Sequence, residues 1–166
     1  MISTNNLKTL VEQQKRLDET ISNSKKIIAN TEIITKKIIA LLVELGEFIN
    51  EERSFKYWSN KPSSEKSTLL EEYVDGIHFM ISLGININFN FKIYEFNFIK
   101  NDIISAYILC FENILKFNSR KDEDNYKIML DSFFSIGKIL NFLEEEIIEA
   151  YFLKNKINFI RQENNY

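Results

Sequence analysis

Glu44-Leu-Gly-Glu47 and Glu72-Tyr-Val-Asp75 each set two carboxylates three positions apart, and Glu47 precedes Glu72 by 25 residues. On an α-helix, residues at i and i+3 share a side, so each pair aims two acids in one direction and two adjacent helices would bring four together. Like charges about 6 Å apart repel by roughly 2 to 3 kcal/mol at an effective dielectric of about 20. Such a cluster therefore calls for protons or a cation, and an all-oxygen donor set suits a hard divalent ion, Mg²⁺ above all. The spacing by itself is cheap, since Glu146 and Glu149 repeat it in a solvated setting. Setting distinguishes the first two pairs. Ile38-Ile39-Ala40-Leu41-Leu42-Val43 leads into Glu44, and Tyr73, Val74, Ile77, Phe79, Met80 and Ile81 surround Asp75. Both stretches read as helices apolar on nearly all sides, hence buried, where an acid needs a reason to be.

The elements that must position these acids read as helices throughout. One proline and four glycines in 166 residues leave few breaks, and a chain of this length can bury a core as one domain, 1–166. A first helix capped near Asn5 or Asn6 buries a stripe of Leu7, Leu10, Val11, Gln14, Leu17, Asp18 and Ile21. Gln14 and Asp18 stand where the spacing expects leucine. Either that helix is less buried there, or the two side chains meet polar partners such as a base edge. After a polar connection over residues 22–31, a second helix spans 32–53. A third starts from a cap at Ser63 or Ser64, beyond Pro62, and stops at Gly84 in a left-handed conformation. Between them lies Phe55-Lys56-Tyr57-Trp58, which either walls a base pocket or anchors a loop. Residues 85–93 alternate apolar and polar with period two, predicting a short strand or extended loop. Helices are predicted over 97–117, 123–139 and 144–162. On the last, Lys154, Asn158 and Arg161 fall at i, i+4 and i+7, a face suited to phosphate oxygens and a sugar hydroxyl, or simply a solvated basic face near a helix end.

Composition excludes several classes. A net charge of −3 argues against general nucleic-acid binding, although a local basic cluster can grip one anionic ligand. One histidine and one cysteine cannot build a zinc site of the usual kind, and P-loop, Rossmann and nucleophile-elbow motifs are absent. Cys110 sits among Tyr107, Ile108, Leu109 and Phe111 and reads as a core thiol, which fits a reducing cytoplasm. No signal peptide or apolar run of membrane length is visible, so a soluble cytoplasmic protein is expected, without membrane contact.

Taken in order, Gln14-x-x-Leu17-Asp18, Glu44-x-x-Glu47, Phe55-Lys56-Tyr57-Trp58, Glu72-x-x-Asp75 with His78-Phe79, and Lys154-Asn155-x-x-Asn158-x-x-Arg161-Gln162 ending at Tyr166 resemble the all-α, homodimeric dUTP pyrophosphatases, relatives of the MazG-type nucleotide pyrophosphohydrolases. The resemblance covers residues 7–84 and 146–166. Members often have Asn where Asp18 stands and Gly where Asn165 stands. The resemblance implies a MazG-like helical bundle that dimerises through apolar surface and hydrolyses dUTP, and dUDP, to dUMP. It implies Mg²⁺ held by Glu44, Glu47, Glu72 and Asp75, with Glu47 orienting and deprotonating water. Lys154, Arg161 and Tyr166 are then expected on the phosphates, Asn158 and Asp75 at the 3′-hydroxyl, and Gln14, Asp18, Lys56, Trp58, His78 and Phe79 around the substrate's uracil end. Two other readings stand beside it: a MazG-like enzyme for dCTP, since the Gln14 carboxamide can pair with uracil or cytosine by flipping, and a helical dimer that binds a regulatory protein.

Overall fold

The computed structural model describes residues 2–26 and 31–164. Six helices carry the architecture: α1 (Thr4–Lys25), α2 (Thr31–Glu52), α3 (Lys66–Asn86), α4 (Ile103–Ser119), α5 (Glu123–Ile139) and α6 (Glu144–Glu163). Among the described residues there is no strand, and the fold is all-α as expected. α3 is the hub. It packs most extensively on α2 and also against α1, α5 and α6, while α4 lies on α5 and α1 on α6. α3 buries residues on every side, including Leu70, Tyr73, Val74, Ile77, Met80, Ile81 and Leu83, as a helix enclosed by neighbours must. α2 does not match the expectation of burial all round. It inserts Ile38, Leu41, Leu45 and Phe48 into the core but leaves Ile39 57% and Val43 51% exposed.

Local chemistry explains most boundaries. Asp102 and Asp122 accept from the backbone N–H groups of Ser105 (3.0 Å) and Asn125 (2.9 Å), capping α4 and α5. At α6, Glu146 accepts from the Leu143 N–H at 2.9 Å. α1 is capped by Ser3 rather than Asn5 or Asn6. Asn6 Nδ2 instead donates to Glu144 Oε1 at 2.6 Å, and the Ser3 N–H donates to the same oxygen at 2.7 Å, clasping the start of α1 to the start of α6. Neither Ser63 nor Ser64 caps α3, because the Ser64 hydroxyl donates to the Glu51 carboxylate and Glu65 occupies the cap position.

The strand predicted over 85–93 is not formed. α3 runs on to Asn86, Asn88 turns with φ 58°, and a single 3-10 turn follows at Phe91–Ile93. Ile85, Ile87 and Phe89 pack against the core and Phe91 belongs to it, with the Phe89 ring 4.7 Å from that of Tyr126. The period-two pattern records a corner pinned by alternate apolar side chains, with no second extended segment to pair with. Gly84 is helical rather than left-handed. Its role is close approach, since a Cβ there would collide with the Tyr126 hydroxyl and lie 2.5 Å from Phe91 Cζ. The helix predicted from 97 begins six residues later, because the N–H groups of Asn97 and Ile99 donate to Asp131 Oδ1 (3.0 Å) and Ser135 Oγ (2.9 Å) and hold that stretch extended. Cys110 is buried, and burial pushes its thiol up to about 12.

Candidate active site

α2 and α3 lie side by side, so the two acidic motifs face each other. Glu44, Glu72 and Asp75 each bring a carboxylate oxygen to within 4.8 Å of the other two. Glu47, one turn further along α2, stays exposed and outside that trio, although its charge still acts on Glu44 and Glu72. Burial, then the charges of Asp75, Glu47 and Glu72, raise Glu44 to about 7, against a smaller opposing pull from Lys154. Burial followed by Asp75 raises Glu72 as well. Asp75 is raised by burial, with Lys154 working the other way through a hydrogen bond and its charge.

α6 supplies the opposing charge. Lys154 Nζ lies 2.6 Å from Asp75 Oδ2 and 3.1 Å from Glu71 Oε1. Burial disfavours its charge, yet the hydrogen bond and charge of Asp75 win and raise it. Arg161 adds a further positive influence on Asp75. Arg161 and Asn158 line, with Lys154, a cavity of about 730 Å³ walled by α1, α2, α3 and α6. Its lining also contains Gln14, Asp18, Glu44, Asp75, His78 and Phe79. A volume in the range of small-molecule sites, with Lys15, Lys37, Lys154 and Arg161 in the lining beside four acids, suits a phosphorylated ligand.

Gln14 and Asp18, the polar interruptions of the first stripe, find partners in each other: Gln14 Nε2 donates to Asp18 Oδ1 at 2.8 Å. Gln14 Oε1 lies 2.7 Å from His78 Nδ1 and accepts from Tyr151 Oη at 2.8 Å. The His78 ring stacks on Tyr151 with centroids 4.0 Å apart, and burial, then the charge of Lys154, holds the imidazole down at about 3. His78 is therefore neutral across physiological pH.

The remaining expected residues lie elsewhere. Trp58 is 66% exposed and packs edge-on to Phe55 and Tyr57. Lys56 Nζ donates to the backbone oxygen of Asn50 at 3.1 Å and to its Oδ1 at 2.5 Å. Neither lines the cavity, and Tyr166 falls outside the described residues. Sequence reading missed Lys37, Ser82 and Asn86, all in the lining, and Tyr151. Helical spacing held the clue: Lys37 precedes Glu44 by two turns, Ser82 follows Asp75 by two, and Tyr151 precedes Asn158 by two.

An all-helical bundle that sets clustered carboxylates beside a cavity also lined by Lys154 and Arg161 of α6 has the architecture of a nucleotide hydrolase. A model of the dUTPase family (dUTPase_2) matches residues 6–166, and the chain belongs to that family. The activity that goes with membership is that of a dUTP diphosphatase. No curated protein sequence matches the chain.

Proposed function

We propose that this protein is a Mg²⁺-dependent enzyme, acting as one domain, that converts dUTP to dUMP and pyrophosphate and also accepts dUDP. The observation that carries the reading is the convergence of Glu44, Glu72 and Asp75 within 4.8 Å beside a cavity that Glu44 and Asp75 line together with Lys154 and Arg161. The donor set fits the metal: three carboxylates, one of them raised to about 7 by burial and its acidic neighbours, form a site that a divalent cation would relieve. When bound there, Mg²⁺ would supply charge compensation for phosphate oxygens and a lowered pKa for water. The protein's own groups do the rest. Glu47, outside the trio and open to solvent, is free to orient a water and take its proton. Lys154 and Arg161 hold the phosphate chain, Asn158 and Asp75 meet the sugar hydroxyl, and Gln14, Asp18, His78 and Phe79 take the base end. Lys56, Trp58 and Tyr166 are assigned to the substrate contacts on the family resemblance alone.

The same proposal includes a homodimer. Ile39 and Val43 on α2 and Ile104, Ile108 and Leu115 on α4 are each 40% to 58% exposed on neighbouring helices. Such apolar stripes favour association. Sedimentation should give twice 19.7 kDa, and Ile108→Asp should shift it to the monomer.

Pyrophosphate release from dUTP, measured with Mg²⁺ and after chelation, tests the activity directly. The expected result is equimolar dUMP and pyrophosphate with the metal and none without it. Release of orthophosphate, or turnover that ignores chelation, would refute it.

A further inference from the structure

Lys154 stands between two compartments. It lines the cavity together with Asp75, and it also lines a smaller groove of about 370 Å³ between α3 and α6, whose wall includes Glu71. Asp75 has no part in that groove and Glu71 none in the cavity. The two acids are four apart on α3, so they share a face one turn from each other and repel. A single ammonium from α6 serves both: Nζ lies 2.6 Å from Asp75 Oδ2 and 3.1 Å from Glu71 Oε1. The contacts are unequal. The Asp75 side chain is 14% exposed and that of Glu71 57%, so the contact on the cavity side is short and largely screened from water, while the one on the groove side is longer and meets solvent. Burial opposes the charge of Lys154, but Asp75 and then Glu71 overcome it, and the lysine stays an ammonium.

Among the protein's own groups, Lys154 is therefore what offsets Asp75. A divalent ion held by the acidic trio would draw on the same carboxylate. Asp75 cannot serve both cations at full strength, and two positive charges so close repel each other. The lysine needs a second anion, placed so that it can lean away from the trio and still border the cavity. Glu71 is already in contact with it, on the groove side. Of the other acids in the groove, Glu146 is engaged by Lys66 at 2.6 Å, and Glu149 forms no ion pair with Lys154 among the described residues. We infer that Glu71, which belongs to neither acidic pair, is a positioning residue that acts through Lys154: it receives the ammonium as Asp75 is given over to the metal, so that filling the acidic site and freeing Lys154 for a phosphate are one coupled event.

This inference rests on the reading that Glu44, Glu72 and Asp75 hold a divalent ion, and metal binding without nucleotide tests it. The probe is Mn²⁺, which takes the same oxygen donors as Mg²⁺, titrated calorimetrically into chelator-treated full-length protein at one ionic strength. Glu71→Gln should weaken the affinity by about threefold to fivefold, the size of an exposed ion pair. Lys154→Met, which removes the competitor for Asp75, should strengthen it by about fivefold or more. The double variant decides. With no ammonium left to receive, Glu71→Gln should change the affinity of the Lys154→Met protein by less than about twofold. If Lys154→Met does not fold, Lys154→Gln closes the same cycle. A loss of twofold or more beside the Lys154 variant would make Glu71 a charge acting directly on the metal and overturn the inference. An unchanged affinity in Glu71→Gln alone would reduce the contact to a structural ion pair and overturn it as well.

The outcomes also separate this coupling from the activity. A parent protein that binds no Mn²⁺ would take down the metal site and the coupling together. The expected cycle in a protein that releases no pyrophosphate from dUTP would refute the hydrolytic reading and uphold the role of Glu71. Normal metal-dependent hydrolysis, with the Glu71→Gln loss undiminished in the double variant, would do the reverse.

Discussion

The two ends of the cavity solve opposite electrostatic problems. At one, Glu44, Glu72 and Asp75 face each other with Lys154 as the nearest cation, and burial raises all three acids. At the other, Lys37, Asp18, Ser82, Asn86, Gln14 and His78 are joined by hydrogen bonds, with the buried His78 Nε2 left without a partner among the described residues. The first end is short of positive charge, which an added cation would relieve; the second pairs most of its polar groups within the fold. On the proposed reading, the acids keep their strain for a metal and a polyphosphate, while the groups that meet the base are held in place beforehand.

Perturbing the acidic end should give the largest effects. Glu47→Gln should lower kcat for dUTP by about 10³-fold, in line with the loss of a general base, while the thermal midpoint and dUMP affinity stay near those of the parent protein. Turnover within tenfold of normal would assign the base elsewhere. Asp75→Asn removes one carboxylate from the trio and the partner of Lys154. A metal titration should then show affinity weakened by about 100-fold.

The metal-free protein should also carry a pH signature. Glu44, raised to about 7 in the fold against an ordinary 4.5, keeps a proton that the unfolded chain has already released between those values. Stability of the metal-free form therefore falls as pH rises from about 4.5 to 7 and remains lower above that. Denaturant unfolding at pH 5 and pH 8 should reveal the drop. Glu44→Gln should flatten it and stabilise the metal-free protein at pH 8 by about 1 to 2 kcal/mol, a figure reduced for partial solvent screening. A steeper drop in the variant would point to a different group.

The base end should answer more quietly. Tyr151→Phe deletes one donor to Gln14 Oε1 and should cost about 1 kcal/mol of stability by denaturant titration. Turnover of dUTP should fall by less than about tenfold, because Asp18 and His78 still hold Gln14. A larger loss would give Tyr151 a direct part in holding the substrate.

Legibility in the sequence followed the same division. Acid pairs at i and i+3 on α2 and α3, and the Lys154, Asn158 and Arg161 face of α6, could be read because a helix converts spacing directly into a shared side. The bounds of α2, α5 and α6 could be read to within a residue because apolar periodicity ran between polar or charged connections. Gln14 and Asp18 stood out as polar residues on an apolar stripe, but their partners come from α2, α3 and α6, and no local pattern names a neighbour 64 or 137 residues away. Lys37 was hidden because a lysine ahead of an apolar run looks like a solvated end; only tertiary packing turns it inward. At 85–93 a true periodicity carried the wrong geometry, since alternate burial at a corner imitates a strand.

The clasp of Glu144 on Ser3 and Asn6 ties the start of α1 to the start of α6, and both helices line the cavity. A nascent chain that has emerged only as far as α5 already holds every member of the acidic trio, yet lacks Lys154 to offset it and Tyr151 to back the base wall. Assembly of a competent enzyme thus waits for the ribosome to deliver the final helix, and any premature stop before that point leaves a concentrated negative charge with nothing to neutralise it from within.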